Sequence, residues 1–307
     1  MKKLRQYIGI FIGGILLFFL INPFVQTHSE LKNVVLQVQW LGIVLSFGIQ
    51  ILYRTLYIFP FANLLSALTR KKISFRCAFT LFHLSNITRY LPGRIWGVVR
   101  LLSLSHRFGL RKTVVGSSLT LHVSIEAALG GLIASSLLFS GQIRATVPEV
   151  LEKVPGHTLF LILPVVGLLI GILFLIFKVT KQVWTSVKKC LHLLGNAPLW
   201  RNVISCHVLL WGCQGLAFFL FIRSFFPVAW TEAAVLTACY AFAWIVGFLS
   251  FLTPGGLGVR EGLLSLLLAS YMPLSQATLV ALFYRVWILS TEIILAGVAL
   301  FLYKKRG

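Results

Sequence analysis

Along most of the chain, apolar residues run on without the charged interruptions that divide a soluble protein. Runs of about 20 such residues are long enough to cross the ~30 Å hydrocarbon core of a bilayer. They predict spans at 7–25, 34–58, 113–139, 158–177, 203–226 and 274–303. The first follows Met1-Lys2-Lys3-Leu4-Arg5. It is longer than the apolar core of a signal peptide and lacks a small-residue cleavage site after it, so it reads as a transmembrane helix. The longest loop, about 178–202, is too short for a folded soluble domain, which leaves no room within the chain for an ATP-binding or cytosolic transferase domain.

Two regions are less regular. Ile73 to Phe108 is broken by Leu91-Pro92-Gly93, and Glu232 to Met272 by Thr253-Pro254-Gly255-Gly256-Leu257-Gly258. Proline removes a backbone donor and glycine loosens a helix. The arm after each break is only about 13 residues, short of a full crossing. Each region therefore reads as a re-entrant helical hairpin, with Pro92 and Gly93 at one tip and Pro254, Gly255 and Gly256 at the other. Such backbone is tolerated in a membrane only where protein or a wet cavity satisfies it. The fold class expected is all-α: a polytopic membrane protein of about six full spans plus two re-entrant hairpins.

The two breaks also resemble each other. Pro92-Gly93-Arg94-Ile95 through Leu101-Leu102-Ser103-Leu104 aligns without gaps on Pro254-Gly255-Gly256-Leu257 through Leu263-Leu264-Ser265-Leu266, 162 residues further on. Each half reads as helix, helix, hairpin, helix. The halves, 1–150 and 157–307 of a single transmembrane domain, would then be an inverted repeat whose broken elements meet near the midplane, as in secondary transporters. Two unrelated Pro-Gly kinks are the simpler alternative.

Composition agrees with the pattern. The chain is 58% hydrophobic and 11% charged, with a net charge of +21 from 28 Lys and Arg against seven acids, all of them Glu. Its mean hydropathy is +0.91. A soluble domain carries about a quarter charged residues, a nucleic-acid binder is far less apolar, and a disordered chain is not hydrophobic. Eighteen cations fall on one side of the predicted spans; the other carries Lys32, Arg144 and Lys153 against Glu30, Glu149 and Glu152. The positive-inside rule then places a multi-pass protein in the cell membrane with both termini cytoplasmic. The five cysteines lack metal or redox spacing and read as small apolar residues, so no metal is expected.

Seven cations remain at membrane depth: Arg54, Arg89, Arg94, Arg100, Arg223, Arg260 and Arg285, against Glu126, Glu261 and Glu292. An unpaired charge there costs at least ~2.5–3.5 kcal/mol, so these groups need partners or water. Arg54 and Arg223 read as helix-end residues that snorkel, and Arg100 as lying at the mouth of the first hairpin. Arg89 and Arg94 flank the first tip, Arg260 and Glu261 follow the second, and Arg285 and Glu292 lie two turns apart on the last helix. His122 stands one turn before Glu126, a spacing that suits a satisfied His–Glu pair or a proton relay and is weak as a metal motif. An Arg–Glu network of structural duty is one reading. The arginine surplus favours the other, an anionic ligand, because guanidinium forks and free helix N-termini suit phosphate. No HExxH, GxSxG, P-loop or Asp-based phosphotransfer motif is present.

The same residues carry a family resemblance. Thr253-Pro254-Gly255-Gly256-Leu257-Gly258-Val259-Arg260-Glu261, with Tyr284-Arg285 on the last helix, resembles the C-terminal signature of the flippase-like family formed by the lysylphosphatidylglycerol synthetase transmembrane region and its stand-alone relatives. Asn86 with Arg89-Tyr90-Leu91-Pro92-Gly93-Arg94-Ile95-Trp96 is similar to the family's first segment. Many members have an acidic residue shortly afterwards, where this chain has Gly97-Val98-Val99-Arg100. The resemblance implies movement of lipids between leaflets, with the fused transferase domain of the bifunctional relatives missing from this chain. The expectation is a flippase for an anionic phospholipid or polyprenyl-phosphate-linked headgroup rather than an enzyme. Substrate contacts are expected from Asn86, Arg89, Arg94, Arg260 and Arg285, and counter-ion or proton-carrying roles from Glu126, Glu261, Glu292 and His122. Membrane lipids are the expected partners, with no cofactor and no nucleic acid. The alternatives are a membrane-embedded enzyme acting on a headgroup through Glu261, Glu126 and His122, and a non-catalytic partner that binds through its basic face.

Overall fold

The computed structural model describes residues 38–90, 96–141, 143, 195–249 and 258–305. The predicted spans at 7–25 and 158–177 lie outside the described residues. So do Arg94 and the two tips with Pro92, Gly93, Pro254, Gly255 and Gly256.

The described residues are helical throughout, with no strand among them. In chain order the helices are α1 (Trp40–Leu56), α2 (Ile58–Thr69), α3 (Phe75–Asn86), α4 (Trp96–Ser105), α5 (Lys112–Ser135), α6 (Ala197–Phe225), α7 (Ala233–Leu249), α8 (Val259–Leu268) and α9 (Leu274–Lys304). Among the described residues five stretches are long and apolar enough to cross a membrane: Trp40–Thr69, Lys112–Phe139, Ala197–Phe225, Trp230–Leu249 and Leu274–Lys304. By contrast α3, α4 and α8 have 12, 10 and 10 residues, or roughly 15–18 Å at 1.5 Å per residue.

The first described span runs past the predicted end at residue 58, on to Thr69. Pro60 stands just beyond the turn at Tyr57. It cannot donate to the carbonyl of Leu56, so α1 gives way to α2 there without the chain leaving its helical course. This extension corrects the reading of Arg54 as a snorkelling helix end: it lies in the middle of a 30-residue stretch. Arg223, in the last turn of α6, does behave as a helix-end residue. It donates to the Val228 carbonyl (3.0 Å) and lies 4.9 Å over the Trp230 ring.

Helices in a bilayer gain little from hydrophobic burial against each other and associate through close packing and interhelical hydrogen bonds. The α1–α6 pair shows both. Gly42 faces Ser224, Ser46 donates to the Ala217 carbonyl (2.7 Å), and Gln50 Nε2 donates to Gln214 Oε1 (3.1 Å). The pairing order makes the two helices antiparallel. Tyr284 of α9 closes a buried triangle, accepting from Gln214 Nε2 (2.8 Å) and donating to Gln50 Oε1 (3.3 Å). A Cβ on Gly215 would stand 2.9 Å from Thr237 Cβ, so glycine sets the approach of α6 to α7.

The short helices pack pairwise, α3 with α4, and α8 with the span-length α7. Arg76, at the start of α3, donates to the Leu302 carbonyl at the end of α9 (2.9 Å), and Arg107, after α4, meets Tyr303. Glu232, at the start of α7, accepts from Tyr271, which follows α8 (2.7 Å). The outer ends of the first pair thus gather where α9 finishes, and those of the second where α9 begins.

Candidate functional site

Between these helices lies a cavity of about 200 Å³. Its polar wall comes from both halves of the chain: Asn86 at the end of α3, Arg89 just after it, Glu126 of α5, Arg260 of α8 and Arg285 of α9. A smaller space of about 70 Å³ adjoins it and adds Tyr53, Arg54, Gln214 and Tyr240.

Asn86 closes α3, and Arg89 is carried by a short 3₁₀ turn, Ile87–Tyr90, that continues it. Thr88 Oγ1, 3.0 Å from the Trp96 carbonyl, ties that turn to the start of α4. A Cβ on Gly97 would come within 3.3 Å of Arg89 Cβ, so α4 packs directly over the arginine. The second half repeats the device in reverse chain order. A Cβ on Gly247 would stand 2.8 Å from Arg260 Cβ, so only glycine lets α8 lay Arg260 against α7.

The charges are apportioned unevenly. Glu292 of α9 is 2% exposed and serves two cations: Arg54 Nη1 at 2.7 Å and Arg89 Nη2. Its other oxygen accepts from Tyr90 (2.8 Å). Glu261 faces Arg285 Nε (3.5 Å) and accepts from the Gly258 amide (2.8 Å), capping the first turn of α8. Gly258 holds φ +85°, a conformation open to glycine at this sharp start. Glu126 has no cation in contact among the described residues; Tyr57 and Tyr53 donate to it.

Arg260 completes the set. It is 8% exposed and lies 4.6 Å over the Tyr240 ring, and its Nη2 has no hydrogen-bond partner among the described residues. A buried guanidinium nitrogen normally carries at least one acceptor, and leaving it bare costs of order 1–3 kcal/mol or more. This one borders the cavity.

The structure therefore brings together Asn86, Arg89, Glu126, Arg260 and Arg285, with Glu261 and Glu292 behind them as counter-ions. His122 stands apart from this set. It does not pair with Glu126, because its Nδ1 faces His207 Nε2 (3.1 Å) and its ring packs 4.3 Å from Tyr57. His207 Nδ1 in turn lies 2.7 Å from the Val203 carbonyl. The expected His–Glu pair is thus replaced by a His–His pair between α5 and α6. Arg100 is exposed and takes no part in the site. The arginine surplus is smaller than the sequence count. Around the cavity four described arginines face three glutamates, and the excess rests on Arg260.

Sequence reasoning missed Arg54 as a partner of Glu292, and the tyrosines that line the site: Tyr53, Tyr57, Tyr90 and Tyr240. Their signal was available, since Tyr53, Arg54 and Tyr57 stand within one helical turn of each other in an apolar span.

Comparison with known proteins identifies the family. The family model described as "Lysylphosphatidylglycerol synthase TM region" matches residues 6–296, and the chain belongs to that family. No curated protein and no solved structure matches significantly. The protein is a multi-pass helical membrane protein of a lipid-associated family.

Proposed function

We propose that this member of the lysylphosphatidylglycerol synthase transmembrane-region family moves an anionic, phosphate-bearing lipid headgroup between leaflets, through the cavity that Arg89, Arg260 and Arg285 share. The observation that carries the reading is the Arg260 guanidinium. It is buried on the cavity wall, held over Tyr240, and left with a donor that no described residue uses. A phosphate oxygen would satisfy it, and a guanidinium presents the geometry to do so. Arg89 and Arg285 already carry carboxylate partners and would sense the same anion at longer range.

Transport rather than catalysis suits the site. Its carboxylates are held by tyrosines, arginines and a backbone amide. The α3–α4 and α7–α8 pairs are read as hairpins re-entering from opposite faces. The shortness of α3, α4 and α8 and the opposite placement of the outer ends of the two pairs support this, while α7 is long enough to span. Such an inverted pair, with broken helices meeting at a midplane binding site, is the layout of alternating-access carriers. Movement would be downhill or coupled to protons.

The test is headgroup translocation in proteoliposomes containing fluorescent phosphatidylglycerol. Arg260→Gln is expected to slow translocation by about tenfold or more, the equivalent of one lost charge-assisted hydrogen bond. Arg285→Ala and Glu261→Gln should slow it as well. Wild-type rates in a folded Arg260→Gln protein would sink the assignment.

A further inference from the structure

The cavity is too small for a whole lipid. At about 200 Å³ it falls below the ~300–1,000 Å³ of pockets that enclose drug-sized ligands. It can hold a headgroup, and the acyl chains must lie elsewhere. The lining shows where. Along α5 the cavity-facing stripe is Leu119, Val123 and then Glu126, so one helix face passes from apolar to polar over seven residues, roughly 10 Å. Opposite it, α4 contributes Val98 and Leu101, and α7 contributes Trp244 and Phe248, whose rings stack at 5.4 Å. Both α4 and α7 pack against α5, but among the described residues they form no packed interface with each other. Val98 is 43% exposed, and Val99 and Trp96 beside it are 46% and 41% exposed. The arginines therefore stand at one end of the cavity, and its apolar end runs out between α4 and α7.

We infer that this gap is a lateral portal that holds the acyl chain of the transported lipid, with Val98, Leu119, Val123 and Phe248 as its walls. The inference rests on the headgroup reading above, which gives the lipid its orientation, with phosphate toward Arg260 and hydrocarbon toward the gap. The occupant is amphiphilic because the site is. Burying each methylene against these walls, rather than against lipid, changes little in free energy, so the portal guides the tail without trapping it. A chain that remains in apolar surroundings throughout would let the protein move the polar group alone.

The experiment is tail-directed photolabelling. The full-length protein would be placed in nanodiscs containing phosphatidylglycerol with a diazirine at the acyl terminus, and in matched nanodiscs with phosphatidylcholine carrying the same tail. Adducts would be mapped by mass spectrometry. The phosphatidylglycerol tail is expected to label Val98, Leu119, Val123 and Phe248 about threefold or more above the phosphatidylcholine tail. Leu132 and Ile293, exposed on the perimeter, should be labelled equally by both. Equal labelling of the four wall positions by both lipids, at the level of the perimeter, would overturn the portal. Val123→Trp should abolish the selective label while perimeter labelling shows the protein intact; a selective label that survives it would also count against the portal. Arg260→Gln separates the two proposals. A selective label that falls with it supports one continuous site. A selective label that persists keeps the portal and removes Arg260 from headgroup binding.

Discussion

At the scale of single residues, the site is a matter of which charge has which partner. Glu292 neutralises Arg54 and Arg89 at once, so removing its charge leaves two guanidiniums without a carboxylate; Arg54 is 13% exposed, whereas Arg89 is 35% exposed and contributes the smaller share because solvent screens it. Breaking a buried ion pair from one side costs about 3–5 kcal/mol. Glu126 is different, because its partners are neutral hydroxyls. A glutamine there keeps an acceptor for one tyrosine and costs about 1 kcal/mol. Glu292→Gln is therefore expected to unfold or fail to accumulate, while Glu126→Gln stays folded with thermal stability within a few degrees of wild type. Fluorescence-detected size exclusion and thermal melts of the two variants in the same detergent check this. Equal losses would show that Arg54 and Arg89 have water or another partner. The sequence revealed that these charges were buried but not how they pair. Arg285 and Glu292 share a helix and a face at seven residues' spacing, yet Arg285 turns to Glu261 and Glu292 reaches Arg89, more than 200 positions earlier. Helical periodicity fixes which side a group faces and carries no information about which other helix lies there.

At the scale of helices, the polar triangle Gln50–Gln214–Tyr284 joins α1, α6 and α9 in the middle of the apolar bundle. Interhelical hydrogen bonds in a membrane average about 0.6 kcal/mol, but a stranded amide costs more than the bond it loses. Gln214→Leu should thus destabilise by about 1–3 kcal/mol, and the double variant Gln50→Leu/Gln214→Leu by less than twice that. Denaturation in mixed micelles measures the three proteins, and strict additivity would mean that the triangle is not a unit. The long helices were readable because a run of some 20 apolar residues has few other fates, and four of the predicted spans are recovered with shifted ends. The α2 extension was missed because Pro60 and the polar Asn63, Ser66 and Thr69 look like the end of a span, whereas here Ser66 and Thr69 donate back to helix carbonyls and Pro60 falls in the first turn of α2. The exchange of glycine and arginine between Gly97–Arg89 and Gly247–Arg260 was also invisible, since neither pair is marked by spacing until the helices are set side by side.

At the scale of the molecule, connectivity sorts the charges. Arg70, Lys71 and Lys72 after α2, Arg107 after α4, Arg111 and Lys112 at the start of α5, and Lys304 and Lys305 at the end of α9 belong to one end of the bundle. The opposite end, where Glu232 meets Tyr271, has Arg223 alone near it among the described residues. Cations flanking short loops are retained on the cytoplasmic side during insertion, and near anionic lipid each is worth about 1 kcal/mol. The asymmetry predicts one orientation: the α2–α3 turn and the end of α9 inside, the α6–α7 turn outside. With that orientation the α3–α4 pair would open toward the cytoplasm and the α7–α8 pair away from it. Single cysteines at Lys72 and Thr231, in a chain freed of its five native cysteines, test both points in intact cells. A membrane-impermeant maleimide should label the cysteine at 231 directly and the one at 72 only after permeabilisation. The reverse pattern would invert the protein and with it the faces assigned to the two helix pairs. Labelling of both sites in intact cells would show that the chain inserts both ways, a result at odds with so one-sided a charge distribution.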